Sequence, residues 1–309
     1  MSPSGPDPTP ESQPGAEPGK RRTGRNLPVA IVSGLALAGL FVGSVWWSPW
    51  ALLVLVAVIV VIALAELDGA FVDAGLRPAT WVAAAAGLVM LFGALALGPL
   101  GQVVGLVLLV LGAALAPLFE AGNGGTDHAD GGRAPGRTPT PGPSRRSVSS
   151  IGATVLMGLW VPFLGSFIGL LAGREHGFWV VLAVIALTVS YDIGAYGFGV
   201  GFGRHRLAPR ISPGKTWEGA AGGLAVVLLL AGFVTARLPG FDLPTALLLG
   251  AGIVPAATVG DLLESLVKRD LGVKDLGRVL PGHGGIMDRV DAILFALPVA
   301  HLLLLLTDV

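Results

Sequence analysis

The chain has no cysteine among its 309 residues and carries little charge. Without cysteine it can form neither a disulfide nor a thiolate nucleophile or metal site. Charged residues make up 13% of the composition, whereas soluble domains contain about 25%. Hydrophobic residues make up 53%, and the mean hydropathy is +0.75. These values exclude an ordinary water-soluble domain and indicate an integral membrane protein.

The first 26 residues differ from the rest, because they are rich in proline, glycine, serine and glutamate and end in a basic cluster. A segment of this composition cannot bury enough apolar surface to fold, so 1–26 is predicted to be a disordered tail that ends at the membrane surface. A cleaved signal peptide is the less favoured alternative, because the tail is long and several further apolar runs follow it. The basic residues are Lys20, Arg21, Arg22 and Arg25.

Nine apolar runs follow, and each is close to the length that crosses about 30 Å of hydrocarbon. The basic residues test this count, because cytoplasmic loops carry an excess of lysine and arginine. With a cytoplasmic N-terminus and alternating spans, all but Arg174 and Arg237 of the 20 basic residues lie inside. We expect an all-α integral membrane protein with about nine transmembrane helices and an external C-terminus. The predicted spans are 27–47, 49–66, 80–98, 100–118, 150–172, 178–198, 219–236, 241–260 and 291–307.

A Gly/Pro/Ser-rich stretch at 119–149 divides the predicted array. Its composition is typical of a flexible linker, and the alternation of spans puts it in the cytoplasm. It separates an N-terminal four-helix transmembrane bundle at 27–118 from a five-helix domain at 150–309, which we expect to be catalytic. No internal repeat is evident. The few polar groups of the first bundle are expected in one short loop: Glu66, Asp68, Asp73 and Arg77.

The sixth predicted span ends in SYDIGAYGFGVGFG, residues 190–203. A carboxylate such as Asp192 within or near the hydrocarbon costs about 3 kcal/mol or more. Tyr196 follows at the i+4 spacing that places both side chains on one helix face. The glycines alone are typical of a helix-packing face, which is the structural alternative. The acid favours a functional site.

The loop before the seventh predicted span contains ISPGKTWEG, residues 211–219. Lys215 and Thr216 after Pro-Gly are similar to the end of a phosphate-binding loop. The complete pattern fails, because its first glycine would fall on Pro209 and no strand is expected before it. Ser212, Lys215 and the N–H groups of a helix start can still hold a phosphate. A helix cap in an ordinary cytoplasmic loop is an equally weighted alternative.

Residues 260–291 hold the strongest polar signal. Helical spacing places one set of polar residues on a common face, and two aspartates three residues apart can point at one spot. Glycines around His283 leave N–H groups open, which suits an anion. A solvated charged loop is the alternative, but it explains poorly why acids flank the membrane surface on two helices. The residues are Asp261, Glu264, Ser265 and Lys268 on the first helix, and Asp288 and Asp291 on the second.

Carboxylates without cysteine or a histidine cluster favour a hard cation, most simply Mg²⁺. Lysines, arginines and glycine N–H groups beside such a cation favour a phosphate-rich substrate such as a nucleoside triphosphate. A location at the inner membrane surface favours a lipid as the second substrate. We expect phosphoryl or nucleotidyl transfer between a soluble nucleotide and a lipid.

Three motifs stand in order in the C-terminal half: D-x-x-A-Y-x-x-G at 192–199, S-P-x-K-T-x-E-G at 212–219, and a longer pattern at 265–291. The longer pattern reads S-x-x-K-R, then K-D, then P-x-H-G-G-x-x-D-R-x-D. Together they resemble the motifs of a known family, the phosphatidate cytidylyltransferases or CDP-diacylglycerol synthases. The chain departs from the family at Leu276, where a serine is frequent, and at Val200, where a basic residue is frequent. The resemblance covers the chain from about residue 150 to its end.

The resemblance implies nucleotidyl transfer from CTP to phosphatidic acid at the cytoplasmic face of the cell's inner membrane, giving CDP-diacylglycerol and pyrophosphate. It implies Mg²⁺ as cofactor, with a second cation and a homodimer left open, and no nucleic-acid partner. The implied metal ligands are Asp261, Asp288, Asp291 and Asp192. The implied catalytic residues are Asp261, Asp288, Lys268 and Arg269. The implied substrate contacts are Ser212, Lys215, Thr216, Ser265, Lys274, Asp275, His283, Gly284, Gly285, Arg289 and Tyr196.

Two other classes of protein are weighed against this one. A cation-coupled secondary transporter would place its polar site near the membrane midplane, often between repeated halves. Here the acids cluster at one interface and no repeat is evident. A CDP-alcohol phosphotransferase would carry acids in D-G-x-x-A-R and G-x-x-x-D-x-x-x-D, a motif that this chain lacks.

Overall fold

A computed structural model describes residues 27–123, 143–273, 275–277 and 285–307. These ranges contain ten α-helices and one β-hairpin. The helices are α1 (Leu27–Trp47), α2 (Pro49–Asp73), α3 (Thr80–Leu97), α4 (Pro99–Asn123), α5 (Pro143–Gly158), α6 (Leu164–Ala172), α7 (Gly177–Phe202), α8 (Trp217–Phe233), α9 (Leu243–Asp270) and α10 (Met287–Leu304). The strands are β1 (Arg206–Ala208) and β2 (Ser212–Thr216).

Seven helical segments of the described residues are long and apolar enough to cross a membrane. They confirm the predicted helical membrane protein. The other two predicted spans are also helical, but the described apolar part of the first is only Ala36–Trp47, and α10 begins among charged residues. The count of nine stays a prediction. The seven segments are Pro49–Asp73, Thr80–Leu97, Pro99–Leu118, Val148–Ala172, Gly177–Phe202, Trp217–Arg237 and Leu243–Asp270.

Side-chain caps start two of the long helices, α2 and α9. Ser48 Oγ accepts a hydrogen bond from the N–H of Ala51 at 3.1 Å, and Pro49 occupies the first turn of α2. Asp242 Oδ1 accepts from the N–H of Thr245 at 2.9 Å at the start of α9. A capping oxygen satisfies an N–H that has no partner inside the helix, and proline there loses nothing. At Ser48 the cap allows α2 to follow α1 after a single residue.

Several helices continue beyond the predicted ends of their apolar runs. Helix α2 reaches Asp73, so Glu66 and Asp68 lie on a helix, and their predicted placement in a loop was wrong. Helix α9 continues to Asp270 and carries its acids on helical backbone. Helices α4 and α5 also extend into the predicted linker at 119–149. Each residue added to a helix gains a backbone hydrogen bond. A helix can therefore continue beyond the end of the apolar run from which its span was predicted.

A β-hairpin lies between α7 and α8, where no strand was predicted. The strands are antiparallel, with Arg206 opposite Thr216 and Ala208 opposite Ser212. The hairpin is held at its base because Glu218 accepts from the N–H groups of Arg204 and His205, at 3.1 Å each. Strands this short present too few residues for an alternating pattern, so the sequence could not reveal them.

The predicted four-helix and five-helix units share their hydrophobic cores. One core cluster combines Leu52 and Leu91 of the first unit with Leu187 and Leu249 of the second. The other combines residues such as Leu64 of α2 with residues of α5 and α10. The linker at 119–149 therefore divides the sequence, but it does not divide the packing.

Helices α5 and α6 belong to one span that contains a π-helical turn at Leu159–Phe163. Pro162 lies in this turn, and since proline has no N–H it interrupts the regular ladder of helical hydrogen bonds. A Cβ atom on Gly87 of α3 would lie within 2.9 Å of Pro162 Cγ. Because Gly87 has no side chain, the distorted turn packs directly against α3, and the two units come into close contact.

Candidate active site

A cavity of about 650 Å³ lies between α7, α8, α9, α10 and the hairpin. Its volume lies within the range of small-molecule sites, about 300–1,000 Å³. Many of its polar lining residues were predicted for the site from sequence alone. They are Asp192, Tyr196, Ser212, Lys215, Thr216, Asp261, Asp288, Arg289 and Asp291.

An ion pair joins the hairpin to α9 inside this cavity. The ammonium group of Lys215 on β2 contacts a carboxylate oxygen of Asp261, and both side chains are about three-quarters buried. Burial lowers the pKa of the Lys215 amine from its ordinary value, and the nearby carboxylates of Asp291 and Asp192 oppose that shift. The hairpin thus places a cation directly against a predicted metal ligand.

A second cation joins α9 to α10. Lys268 Nζ donates to Glu264 Oε2 at 2.7 Å and to Asp288 Oδ1 at 2.9 Å. All three side chains are largely buried. Charges withdrawn from water are tolerated only when they are paired and hydrogen-bonded. Lys268 therefore fixes Asp288 relative to α9, although it does not itself line the cavity.

Glycine at position 260 lets the two acid-bearing helices touch. A Cβ atom on Gly260 would lie 2.5 Å from the carbonyl oxygen of Asp291 and 3.1 Å from the Cα of Ala292. Any larger residue would push α10 away from α9. The next residue along α9 is Asp261, so this backbone contact sets how closely Asp261 approaches Asp291.

Glu264 was placed on the polar face of α9 but was given no role in the predicted site. Its side chain is 3% exposed, and its Oε1 atom has no hydrogen-bond partner among the described residues. An unsatisfied buried oxygen costs about 1–3 kcal/mol or more, and such costs persist mainly at functional sites. The helical spacing of Glu264 from Asp261 and Lys268 could have identified it as a residue of the site.

Three further cavity features were not predicted as the structure shows them. Arg206 lines the cavity from β1, and Tyr191 lines it while its hydroxyl contacts Thr258 Oγ1. Asp192, expected within or near the hydrocarbon, lines the wall of this polar cavity from α7. A helical span that borders a polar cavity can carry a carboxylate away from the hydrocarbon.

Thr216 serves as the helix cap that the sequence left as an alternative. Its Oγ1 accepts from the N–H of Gly219 at 3.0 Å, at the start of α8. Ser212 and Lys215 lie on the same strand and line the cavity. The segment therefore combines a structural cap with cavity-lining polar groups.

Other predicted site residues lie outside the cavity. Arg269 is exposed, and its Nε donates to the carbonyl oxygen of Ile211 at 3.3 Å, which supports the hairpin. Ser265 is absent from the described lining of the cavity. Asp275 lines a separate cavity of about 560 Å³ beside Asp73. Lys274, His283 and Gly284 lie outside the described residues.

The predicted anion nest is described only at Gly285. The N–H of Gly285 donates to Asp288 Oδ2 at 3.1 Å, so this group orients a carboxylate. The next two N–H groups, of Ile286 and Met287, donate to Glu66 of α2. A contribution of Glu66 to this region was not predicted.

The chemistry of the acids fits a hard cation. No three acid, histidine or cysteine side chains in the described ranges stand together as a ready-made metal-binding group. The cavity nonetheless offers four carboxylates, and Glu264 beside them retains an unpartnered buried oxygen. An all-oxygen donor set of this kind fits Mg²⁺ and disfavours softer metals. The acids are Asp192, Asp261, Asp288 and Asp291.

Comparisons with known proteins agree with this chemistry. Residues 28–307 match the model of the cytidylyltransferase family. A phosphatidate cytidylyltransferase of Mycobacterium bovis is 36% identical over 278 residues, covering 88% of this chain and 86% of that protein. One from Mycobacterium leprae is 35% identical over 304 residues, covering 92% and 89%. One from Pseudomonas aeruginosa is 47% identical over 127 residues, covering 40% and 47%.

Proposed function

The chain belongs to the cytidylyltransferase family, and on that premise we propose that it transfers the cytidylyl group of CTP to phosphatidate. An oxygen of the phosphatidate phosphate attacks the α-phosphorus of CTP, and the bond from that phosphorus to the bridging oxygen breaks. The products are CDP-diacylglycerol and pyrophosphate. The observation that carries this proposal is the cavity at the end of membrane-spanning helices that is lined by the Lys215–Asp261 ion pair and by Asp288.

The nucleophile of this reaction needs little activation. A phosphate monoester has its second pKa near ~6, so phosphatidate is largely ionised at neutral pH and no general base is required. The obstacle is the repulsion between two anions. Cationic groups fixed before the reaction reduce that barrier without reorganising.

The cavity supplies such cations from the hairpin and from α10. Lys215 and Arg206 come from the hairpin, and Arg289 comes from α10. Lys268 lies behind Asp288 and keeps its carboxylate oriented. We assign Lys215, Arg206 and Arg289 to the phosphates of CTP and of the lipid, and Lys268 to the orientation of Asp288. Lys215 pairs with Asp261 in the structure, and its ammonium becomes available to a phosphate when that carboxylate has another partner.

We assign Asp261 and Asp288 as the main ligands of Mg²⁺, with Asp291 and Asp192 beside them. When bound, Mg²⁺ supplies neutralisation of the negative charge that develops on the phosphates. The unpartnered oxygen of Glu264 supports a cation in the same region. A second cation is an extension of this assignment.

The remaining residues of the proposed site bind substrate. Ser212, Thr216 and Tyr196 line the cavity and offer hydroxyl groups to it. The other members keep the roles implied by the family signature: Ser265, Arg269, Lys274, Asp275, His283, Gly284 and Gly285. For Arg269 the structure adds support of the hairpin, and for Gly285 it adds orientation of Asp288.

We also propose nine spans, a cytoplasmic N-terminus, an external C-terminus and a cytoplasmic active site in the cell's inner membrane. The distribution of lysine and arginine supports this topology, since nearly all of them fall in the predicted inner segments. The four-span unit at 27–118 and the catalytic unit at 150–309 remain our division of the sequence. A homodimer is compatible with this arrangement.

An incorporation assay tests the function. Purified protein in lipid nanodiscs is supplied with phosphatidate, Mg²⁺ and CTP labelled in its cytosine ring, and label is counted in the lipid extract. We expect label in the lipid and its loss when EDTA is added, with recovery on excess Mg²⁺. Unlabelled lipid at full Mg²⁺ would contradict the proposal. Cation-dependent accumulation of CTP or phosphatidate in sealed vesicles, without incorporation, would favour the transporter alternative.

A further inference from the structure

Glu66 is a buried acid that belongs to none of the family motifs in the sequence. It lies on α2, is 7% exposed and makes its contacts far along the chain. Its Oε1 accepts from the N–H of Ile286 at 3.0 Å, and its Oε2 accepts from the N–H of Met287 at 2.9 Å. Both carboxylate oxygens are therefore directed at the start of α10.

These contacts give α10 its N-terminal cap. The first N–H groups of a helix have no partner within it, and the residue before α10, Ile286, has no capping side chain. Glu66 supplies the missing acceptors from a different helix. A negative charge also interacts favourably with the positive end of the helix dipole. Met287 directly precedes Asp288, so the cap acts at the turn that carries this acid.

Two glycines shape the place where the Glu66 carboxylate lies. A Cβ atom on Gly277 would overlap the carboxyl group. A Cβ atom on Gly285 would lie 2.8 Å from Glu66 Oε2 and 2.9 Å from Asp288 Oδ2. The Gly285 backbone therefore lies between the carboxylates of Glu66 and Asp288, with no room for a side chain. Moving Glu66 would disturb Gly285, which itself donates to Asp288.

We propose that Glu66 is a positioning residue for the reaction, by which the N-terminal unit holds the first turn of α10 so that Asp288 and Asp291 face the cavity. This inference rests on the proposed function. Glu66 does not line the catalytic cavity but faces the separate cavity beside Asp275. It acts only through the backbone that it caps.

The main test replaces Glu66 with glutamine. Glu66→Gln keeps the shape and one acceptor oxygen but turns an NH₂ group toward a second N–H. Residues that support a metal ligand typically contribute about 10- to 100-fold to metal affinity or activity. We expect kcat to fall by about 10-fold or more, and the Mg²⁺ concentration for half-maximal activity to rise, while the KM for phosphatidate changes by less than about twofold.

Asp68→Asn is the matched control. Asp68 lies on the same helix and accepts from Thr80 Oγ1 at 2.5 Å, within the N-terminal unit. The change also replaces a carboxylate with an amide, but it leaves α10 untouched. We expect kcat and the Mg²⁺ dependence to stay within about twofold of the original protein. Equal losses in Glu66→Gln and Asp68→Asn would show a general effect on α2 and would overturn the proposal.

Hydrogen–deuterium exchange provides a readout that is independent of turnover. We expect the amides of residues 285–291 to exchange faster in Glu66→Gln and at the original rate in Asp68→Asn. Unchanged exchange in Glu66→Gln would overturn the inference, even if the original protein proved inactive in the CTP assay. If Glu66→Gln fails to accumulate, Glu66→Asp answers the same question. It keeps the charge but is one methylene shorter, so unaltered exchange and Mg²⁺ dependence there would equally overturn the inference.

Discussion

The helices before and after the linker use buried polar groups in different ways. In α2–α4, the buried polar side chains among the described residues are Glu66 and Gln102. Both bond to the other unit: Glu66 to the start of α10, and Gln102 Nε2 to Ser166 Oγ at 2.8 Å. Within a membrane, polar groups hold helices together where hydrophobicity cannot distinguish helix from lipid. The first unit uses its polar groups to attach and position the second.

The second unit pairs several of its charged side chains with one another beside the cavity, although Thr154 of α5 also accepts from the N–H of Ala79 in the first unit at 2.7 Å. Lys215 pairs with Asp261, and Lys268 pairs with both Glu264 and Asp288. Such pairs stabilise little by themselves because desolvation offsets the attraction. They hold a set of charges ready for an anionic substrate. The comparison supports the proposed division into a supporting first unit and a reacting second unit, which share their hydrophobic cores.

We expect the largest loss of activity, and so the clearest difference between the two units, when Asp288 is replaced. Asp288→Asn removes a proposed metal ligand and a partner of Lys268 while keeping the side chain's volume. We expect CTP incorporation to fall by about 1,000-fold or more, with the unfolding midpoint near that of the original protein. Near-normal incorporation would refute both the ligand assignment and the contrast with Asp68→Asn.

A smaller but still large effect is expected at Gly260. Gly260→Ala forces a methyl group against the backbone of Asp291 and separates α9 from α10. A displacement of about 1 Å in a catalytic constellation can reduce the rate about 100-fold, and we expect a loss of that order in kcat. Gly152→Ala on α5 is the control, since a Cβ there meets nothing within 4 Å. If both changes were tolerated, the tight contact would have no bearing on catalysis.

Glu264 tests whether the reacting unit contains an acid beyond the signature aspartates. Glu264→Gln keeps the side chain's size but removes its charge, while Lys268 retains Asp288 as a partner. We expect kcat/KM to fall about 10-fold, because the change touches the surroundings of the proposed metal. The effect on the proposed metal site is measured by titrating the activity of Glu264→Gln with Mg²⁺. An unchanged Mg²⁺ dependence would confine Glu264 to a structural role.

The smallest effect is expected at Gln102, which should alter stability and leave the reaction intact. Gln102→Leu removes the bond to Ser166, whose hydroxyl keeps its bond to the carbonyl oxygen of Phe163 at 2.7 Å. Hydrogen bonds between membrane helices contribute about 0.6 kcal/mol on average, so we expect a loss of that size in the free energy of unfolding. Denaturant titration in detergent measures it. A large loss of activity would contradict the division of roles.

Much of the reacting unit could be predicted because its information is local. Asp261 and Lys268 stand at helical spacing on one face, and Asp288 and Asp291 stand three residues apart on the next helix. Residues at such spacings share a helix face regardless of how the helices pack against one another. The apolar runs likewise indicated membrane helices without any knowledge of their contacts.

The missed features depend on contacts between distant backbone groups. Glu66 binds two N–H groups, and every residue except proline has such a group, so no side chain in the sequence marks them as its partners. The hairpin at 206–216 depends on cross-strand pairing over a few residues, below the length at which a pattern is visible. The continuation of α2 to Asp73 extends beyond the predicted apolar run, where the buried Leu67, Ala70 and Phe71 keep it packed.

The cap from Glu66 also has a consequence for folding during synthesis, because Glu66 and the start of α10 are far apart in the chain. This carboxylate leaves the ribosome 220 residues ahead of the first N–H that it will meet, an interval of about 10–40 s at ordinary rates of synthesis. Throughout that time the early helices hold an acid whose partners do not yet exist. The proposed site is thus completed only after α10 has been synthesised, and a nascent chain stalled before α10 lacks the N–H groups that Glu66 caps in the folded protein.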